Sequence, residues 1–250
     1  MGCVSPASAP SPGFAADLPD VDGDPGLLLR SHAHNDYEHE RPLIEALEHR
    51  FYSVEVDVYW QGGELVVAHY PWENRGELSS LYLDPLVELI HERGTAYGDG
   101  HPLTLWVDLK DDSDDLVDEL HTRLAAHPDV FARFAGDDVV DDAPVHVVLT
   151  GASAKARYVD RDERFAIRDS NDFNDADPAA NARWAHYALN AGAVDDMAAT
   201  AAAVHDKNKQ VRLYAAVDDD NSWCTQLNAD VDFIGTDRIA DLAAFLDDGC

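Results

Sequence analysis

Eight short apolar runs, at residues 27–32, 52–60, 103–109, 145–150, 165–168, 184–189, 211–217 and 231–234, constrain the fold of this chain more than any other feature. They are short and rich in aliphatic and aromatic residues, which predicts strands. Longer amphipathic stretches lie between them, at 42–49, 79–93, 116–126, 194–205 and 239–247, several opened by an Asp or Ser able to cap a helix. This alternation predicts an α/β fold in which eight parallel strands form a barrel. Gln61-Gly62-Gly63, between the run at 52–60 and a second strand-like run at 64–69, predicts a hairpin inserted after the second barrel strand.

Residues 1–26, dense in Ser, Ala, Pro and Asp, read as a flexible leader, and 27–250 as a single domain, a length ordinary for such a barrel. The chain carries 49 acidic and 18 basic residues, a formal charge of −31, with lysine only at positions 110, 155, 207 and 209. That balance argues against nucleic acid or an anionic membrane as a charge-driven partner. The aspartate pairs and triplet, such as Asp111-Asp112 and Asp218-Asp219-Asp220, read as a solvated surface suited to salt, since none follows the spacing of an EF-hand loop.

Three cysteines are too few for a disulfide scaffold. Cys3, ahead of a Ser/Ala/Pro-rich stretch, has two readings: the lipid-anchored start of an exported or cell-surface protein, or an ordinary cysteine in a tail. Cys224 and Cys250 either close a loop, if the protein is exported, or remain two thiols. A cytoplasmic location is compatible with the same composition.

Chemistry concentrates between Ser31 and Tyr70. His34-Asn35 follows the first run, Glu55 and Asp57 alternate along the second, His69 ends the inserted hairpin, and Asp108 with Lys110 ends the third run. Residues two apart on a strand share a face, so Glu55 and Asp57 point together, as do Asp108 and Lys110. At the carboxyl end of a barrel all of them converge on one mouth. Two histidines suit the two proton transfers of phosphodiester cleavage. Asn35, Glu55, Asp57 and Asp108 offer hard oxygens that suit Ca2+ or Mg2+, without the thiolates that favour zinc. Thr150, Asn190, Asp218 and Asp237, at later strand ends, are further candidates for substrate contact.

The segments His32-Ala33-His34-Asn35-Asp36-Tyr37, Ser53-Val54-Glu55-Val56-Asp57-Val58, Val66-Val67-Ala68-His69, Leu105-Trp106-Val107-Asp108-Leu109-Lys110 and Asp232-Phe233-Ile234-Gly235-Thr236-Asp237 resemble the PLC-like phosphodiesterase superfamily. That group includes phosphatidylinositol-specific phospholipases C and glycerophosphodiester phosphodiesterases, and the HxHNDY pattern is most similar to a poorly characterised branch of it. The resemblance implies an irregular (β/α)8 TIM barrel and a metal-dependent enzyme acting on a small-molecule or lipid phosphodiester. It implies His34 as the first catalytic histidine, His69 as the general acid, Lys110 on a phosphate oxygen, and Asn35, Glu55, Asp57 and Asp108 around the metal. Glycerophosphodiesterases begin with His-Arg-Gly, whereas this chain has His32 two residues before His34, so either histidine fits the catalytic place.

Two other classes stay open. An amidohydrolase-type barrel also begins with His-x-His, although the run at 165–168 supplies no further histidine ligand. A non-catalytic barrel that binds phosphorylated ligands would keep the fold without the chemistry. Against the latter, three carboxylates at one mouth repel one another unless a cation is bound.

Overall fold

The computed structural model describes residues 7, 9–10, 13–19, 24–136, 138–173 and 184–250. Cys3 lies outside the described residues.

Eight parallel strands form the central sheet: Ser31–Ala33, Ser53–Gln61, Leu103–Leu109, Val145–Gly151, Ile167–Ser170, Trp184–Asn190, Gln210–Tyr214 and Ile234–Thr236. They are numbered here first to eighth. The first seven pair in chain order and the eighth pairs with the first. Between the seventh and eighth, Arg212 and Phe233 form an isolated parallel bridge, and Val211 O accepts from the N–H groups of Asp232 and Phe233 at 3.1 and 3.2 Å. The ring therefore runs through all eight strands with one thin seam, an irregular TIM barrel.

Alternation along the strands separates two apolar layers. Val54, Val56 and Val58, with Leu103, Leu105, Val107 and Leu109, face outward into the large core shared with the helices. Trp106, Val148, Ile167, Ala188 and Phe233 form a smaller cluster that plugs the interior. Strand register stacks the inward polar groups in tiers. Glu55 lies opposite Trp106, Asp57 opposite Asp108, and Asp108 opposite Thr150.

The helices that follow the strands are amphipathic, as in Asp114–Ala125, which buries Leu116, Val117, Leu120 and Leu124. Asp196 and Asp219 cap the helices Met197–His205 and Asp220–Asn228 by accepting from Ala199 N and Ser222 N. The hairpin predicted at Gln61-Gly62-Gly63 is present: Glu64–Val67 pairs antiparallel with the second strand. Gly62 and Gly63 turn at φ 63° and 93°, a conformation that favours glycine.

The structure departs from two expectations and adds one unexpected sheet. The run at 27–32 is mostly a 3-10 turn, Gly26–Arg30, and only Ser31–Ala33 is strand. Part of the expected flexible leader is packed: Phe14–Asp17 forms a 3-10 turn, and Phe14, Ala15 and Leu18 are buried. Arg93 holds that segment by donating to the carbonyls of Leu18 and Pro19, and Gly13 N donates to Glu88. A few apolar residues were enough to dock a segment whose average composition is polar. Finally, Arg133–Ala135, Asp138–Asp141 and Glu163–Arg164 form a small antiparallel sheet that the pattern did not foretell.

Cys224 and Cys250 are paired, with Cα atoms 5.5 Å apart. The pair ties the helix Asp220–Asn228 to the end of the chain.

Candidate active site

The expected residues meet at the carboxyl ends of the strands. A cavity of about 280 Å3 is lined by His34, Asn35, Glu55, His69, Asp108, Lys110, Thr150, Gly151, Asp169, Asn171, Ala188, Arg212 and Tyr214. A second of about 170 Å3 adjoins it and shares His34, Arg212 and Tyr214. Asn35 sits at φ 47°, and this left-handed turn follows His34 directly where the chain leaves the first strand.

The two histidines of the cavity are each held by a carboxylate. His34 Nδ1 lies 2.7 Å from Asp237 Oδ1, across 203 positions of sequence. Burial works against charge on His34, but the hydrogen bond to Asp237 and the charges of Glu55 and Asp237 outweigh it, so its pKa is raised. His69 Nδ1 lies 2.9 Å from Asp57 Oδ2 and 3.1 Å from the Tyr37 hydroxyl. That leaves Nε2 as the nitrogen of His69 available to a ligand. Tyr37, fully buried, donates to Asp57 at 2.7 Å and so fixes the carboxylate that fixes His69.

His32 has a different environment. Arg212 Nη1 lies 2.5 Å from His32 Nε2, and a guanidinium only donates, so Nε2 accepts and the proton sits on Nδ1, which donates to Ser53 Oγ at 2.7 Å. Burial first, and Arg212 next, push the His32 pKa down to about 4. His32 is a neutral, fully buried hydrogen-bond link.

Arg212 stands inside the apolar run at 211–217 and belongs to none of the motifs that mark the other site residues. Its Nη1 and Nη2 lie 2.8 and 3.0 Å from the two oxygens of Glu55, and its guanidinium stacks over Trp106 at 4.9 Å. Burial opposes the charge of Glu55, but Arg212 holds its pKa well below the usual range. A second buried ion pair, Lys155 with Asp169 at 2.7 Å, stands on the opposite wall, with Thr150 donating to the same carboxylate.

Lys110 bridges two carboxylates, lying 2.9 Å from Asp57 Oδ2 and 2.7 Å from Asp108 Oδ2. Burial nevertheless pushes Asp108 up to about 6: Lys110 opposes the rise, and the charges of Asp57 and Glu55 add to it. Gly151 makes room for this group. A Cβ there would come within 1.9 Å of Asp108 Oδ1, and the residue's φ of 77° also favours glycine.

The set expected to hold a divalent ion meets this geometry unevenly. Asp57 Oδ1 is buried with no hydrogen-bond partner. Three carboxylates, Glu55, Asp57 and Asp108, face two cations, Arg212 and Lys110. Both features, with the Asn35 amide oxygen, fit a hard cation at Asp57 and Asp108. Glu55 fits less well, because Arg212 engages both its oxygens. Among the described residues no three His, Cys, Asp or Glu side chains are already arranged around one ion position.

Barrel and site together define a phosphodiesterase-type α/β fold. The chain belongs to the family of AIM6-like phosphodiesterase domains, whose model matches residues 27–167. It is 33% identical over 103 residues to altered inheritance of mitochondria protein 6 of Eremothecium gossypii, a match covering 35% of this chain and 26% of that protein. The chain thus spans about a quarter of the length of the curated relative it matches.

Among solved structures it is similar to a glycerophosphodiester phosphodiesterase from Parabacteroides distasonis, with a TM-score of 0.58, 12% identity, and 88% of this chain and 97% of that one covered. An Oleispira antarctica phosphodiesterase in complex with the product sn-glycerol-3-phosphate gives 0.58 at 14% identity, covering 93% and 98%. A Ca2+-dependent phosphatidylinositol-specific phospholipase C from Streptomyces antibioticus gives 0.55 at 14%, covering 86% and 95%. At these identities the likeness speaks for the fold.

Proposed function

We propose that the protein cleaves a glycerophosphodiester, phosphoinositide or related phospholipid-type phosphodiester, with His34 as general base and His69 as general acid. The observation that carries this is the pair of half-exposed histidines on one cavity, each oriented by its own carboxylate, with Lys110 and Arg212 beside them. An amidohydrolase centre would need both histidines of His-x-His on a metal, and His32 Nε2 is already spent on Arg212.

His34 Nε2 takes the proton of the attacking oxygen, either a hydroxyl next to the diester or a water. The new O–P bond forms as the P–O bond to the leaving alcohol breaks, and His69 Nε2 gives that alkoxide its proton. Lys110 and Arg212 offset charge on the phosphoryl oxygens. Attack by a neighbouring hydroxyl gives a cyclic phosphate, and attack by water gives a monoester. Asn35, Asp57 and Asp108 would hold a divalent ion, Ca2+ or Mg2+, which supplies Lewis-acid polarisation of a phosphoryl oxygen when bound. Glu55 then serves chiefly to hold Arg212 in place.

The test is turnover of glycerophosphodiesters, phosphatidylinositol, lysophospholipids and bis(p-nitrophenyl) phosphate with Ca2+, Mg2+ or chelator, products being followed by phosphorus NMR. Chelator-sensitive cleavage is expected. Tight binding of phosphorylated ligands with no cleavage, the fold being intact, would favour the non-catalytic barrel instead.

A further inference from the structure

Tyr70 and Trp72 follow closely on His69, and their rings stack with centroids 4.9 Å apart and planes within 3°. Tyr70 in turn meets the His69 ring edge-on at 4.5 Å. Rings of this size are usually buried, yet Tyr70 is 46% exposed and Trp72 77%. At the end of the seventh strand Tyr214 lines both cavities while still partly exposed, and Val217, just beyond that strand, is 67% exposed. Half of the large exposed apolar side chains among the described residues therefore stand at the mouth, on the loop after His69 and on the end of the seventh strand with the loop that follows it. Those loops bracket the first and eighth strands, which lead to His34 and Asp237.

We propose that this rim docks the protein onto an electrically neutral phospholipid surface, so that the diester is drawn from a lipid layer; the inference rests on the phosphodiesterase reading above. Tryptophan and tyrosine combine an apolar ring with a polar edge and settle at lipid–water boundaries. Stacking already fixes the Tyr70–Trp72 pair, which lowers the entropy lost on docking. Charge selects the kind of surface. A formal charge of −31, with Asp218, Asp219 and Asp220 directly after Val217, repels anionic lipid at low ionic strength, and it equally opposes a second copy of the chain. A zwitterionic surface carries no net charge for this field to repel, and its apolar interior accepts the rings.

The experiment measures binding of the whole chain to phosphatidylcholine vesicles by co-sedimentation and by tryptophan emission. Wild type and Trp72→Phe share the other four tryptophans, so the difference between their spectra isolates the signal of Trp72. Wild type binds with a blue shift that Trp72→Phe lacks. Trp72→Ala with Val217→Ser weakens binding roughly tenfold or more, which corresponds to leaving about 60 Å2 of apolar surface in water. Cleavage of vesicle-borne diester falls with it, while cleavage of a soluble short diester stays within about twofold. Vesicles rich in phosphatidylserine bind less until salt is raised.

Absence of binding to phosphatidylcholine, a variant that binds like wild type, or tighter binding to phosphatidylserine at low salt would each overturn the proposal. So would self-association lost in Trp72→Ala, or equal loss of the soluble reaction, which would make Trp72 a direct substrate contact. Binding is read without turnover, so a rim that binds vesicles in a protein that cleaves nothing would overturn the enzymatic reading alone.

Discussion

Arg212 grips both carboxylate oxygens of Glu55 inside the barrel, 157 positions away in sequence, and both side chains are almost completely buried. The pair places a fixed positive charge on the wall shared by the two cavities. Removing one partner strands the other charge away from water. Arg212→Met is therefore expected to lower stability by about 3–5 kcal/mol in urea unfolding, and adding Glu55→Gln to restore most of the loss. A single variant as stable as wild type would show that the pair is not buried in solution.

Asp237 sets the titration of His34. Its hydrogen bond and charge raise the His34 pKa, and a general base must be deprotonated, so the acid limb of kcat/KM should fall above the ordinary histidine value. Asp237→Asn removes the charge and weakens the hydrogen bond that raise it, leaving only the pull of Glu55, so the limb should move to lower pH while the maximal rate drops. An unchanged limb would assign it to another group. His32, with its pKa near 4, remains neutral throughout that range and cannot produce it.

Proton linkage at Asp108 makes stability depend on pH. Its pKa near 6 in the folded chain lies above that of an unfolded aspartate, so ionisation in the fold is disfavoured, and stability is lost as pH rises from about 4 to 6. Asp108→Asn should then be more stable than wild type at pH 8 in chelator, by about 1–3 kcal/mol. It should also need more divalent ion for activity. Thermal melts at pH 5 and pH 8, with and without Ca2+ or Mg2+, check both; a variant less stable at pH 8 in chelator would contradict this account.

Activity on an anionic diester should rise with ionic strength at saturating metal, because salt screens the field of the −31 surface around the mouth. A flat or falling profile would mean that the local cations Lys110, Lys155 and Arg212 already dominate at the mouth.

Much of this site is legible in the sequence because its first half is local. His34, Asn35, Glu55, Asp57, His69, Asp108 and Lys110 each stand within or just after a strongly apolar run, and strand periodicity fixes which of them share a face. What was not legible is pairing across the barrel. Arg212 lies within an apolar strand, and a charge at the centre of such a strand signals a buried partner, but nothing local identifies Glu55. Asp237 was visible only as a strand-end residue, and its role depends on the eighth strand lying beside the first. Tyr37, read only as part of a motif, proves to join Asp57, His69 and Asn35. The packed turn Phe14–Asp17 escaped because composition averages over a segment, whereas docking needs only a few side chains.

The proposed division of labour between His34 as base and His69 as acid is tested by leaving-group dependence. His69→Ala should slow cleavage of an alkyl phosphodiester about a hundredfold or more, yet slow a p-nitrophenyl diester far less, because that phenolate departs without a proton. His34→Ala should slow both alike, with melting temperatures unchanged. Equal losses on the two substrates for His69→Ala, or near-wild-type turnover in either variant, would contradict the assignment.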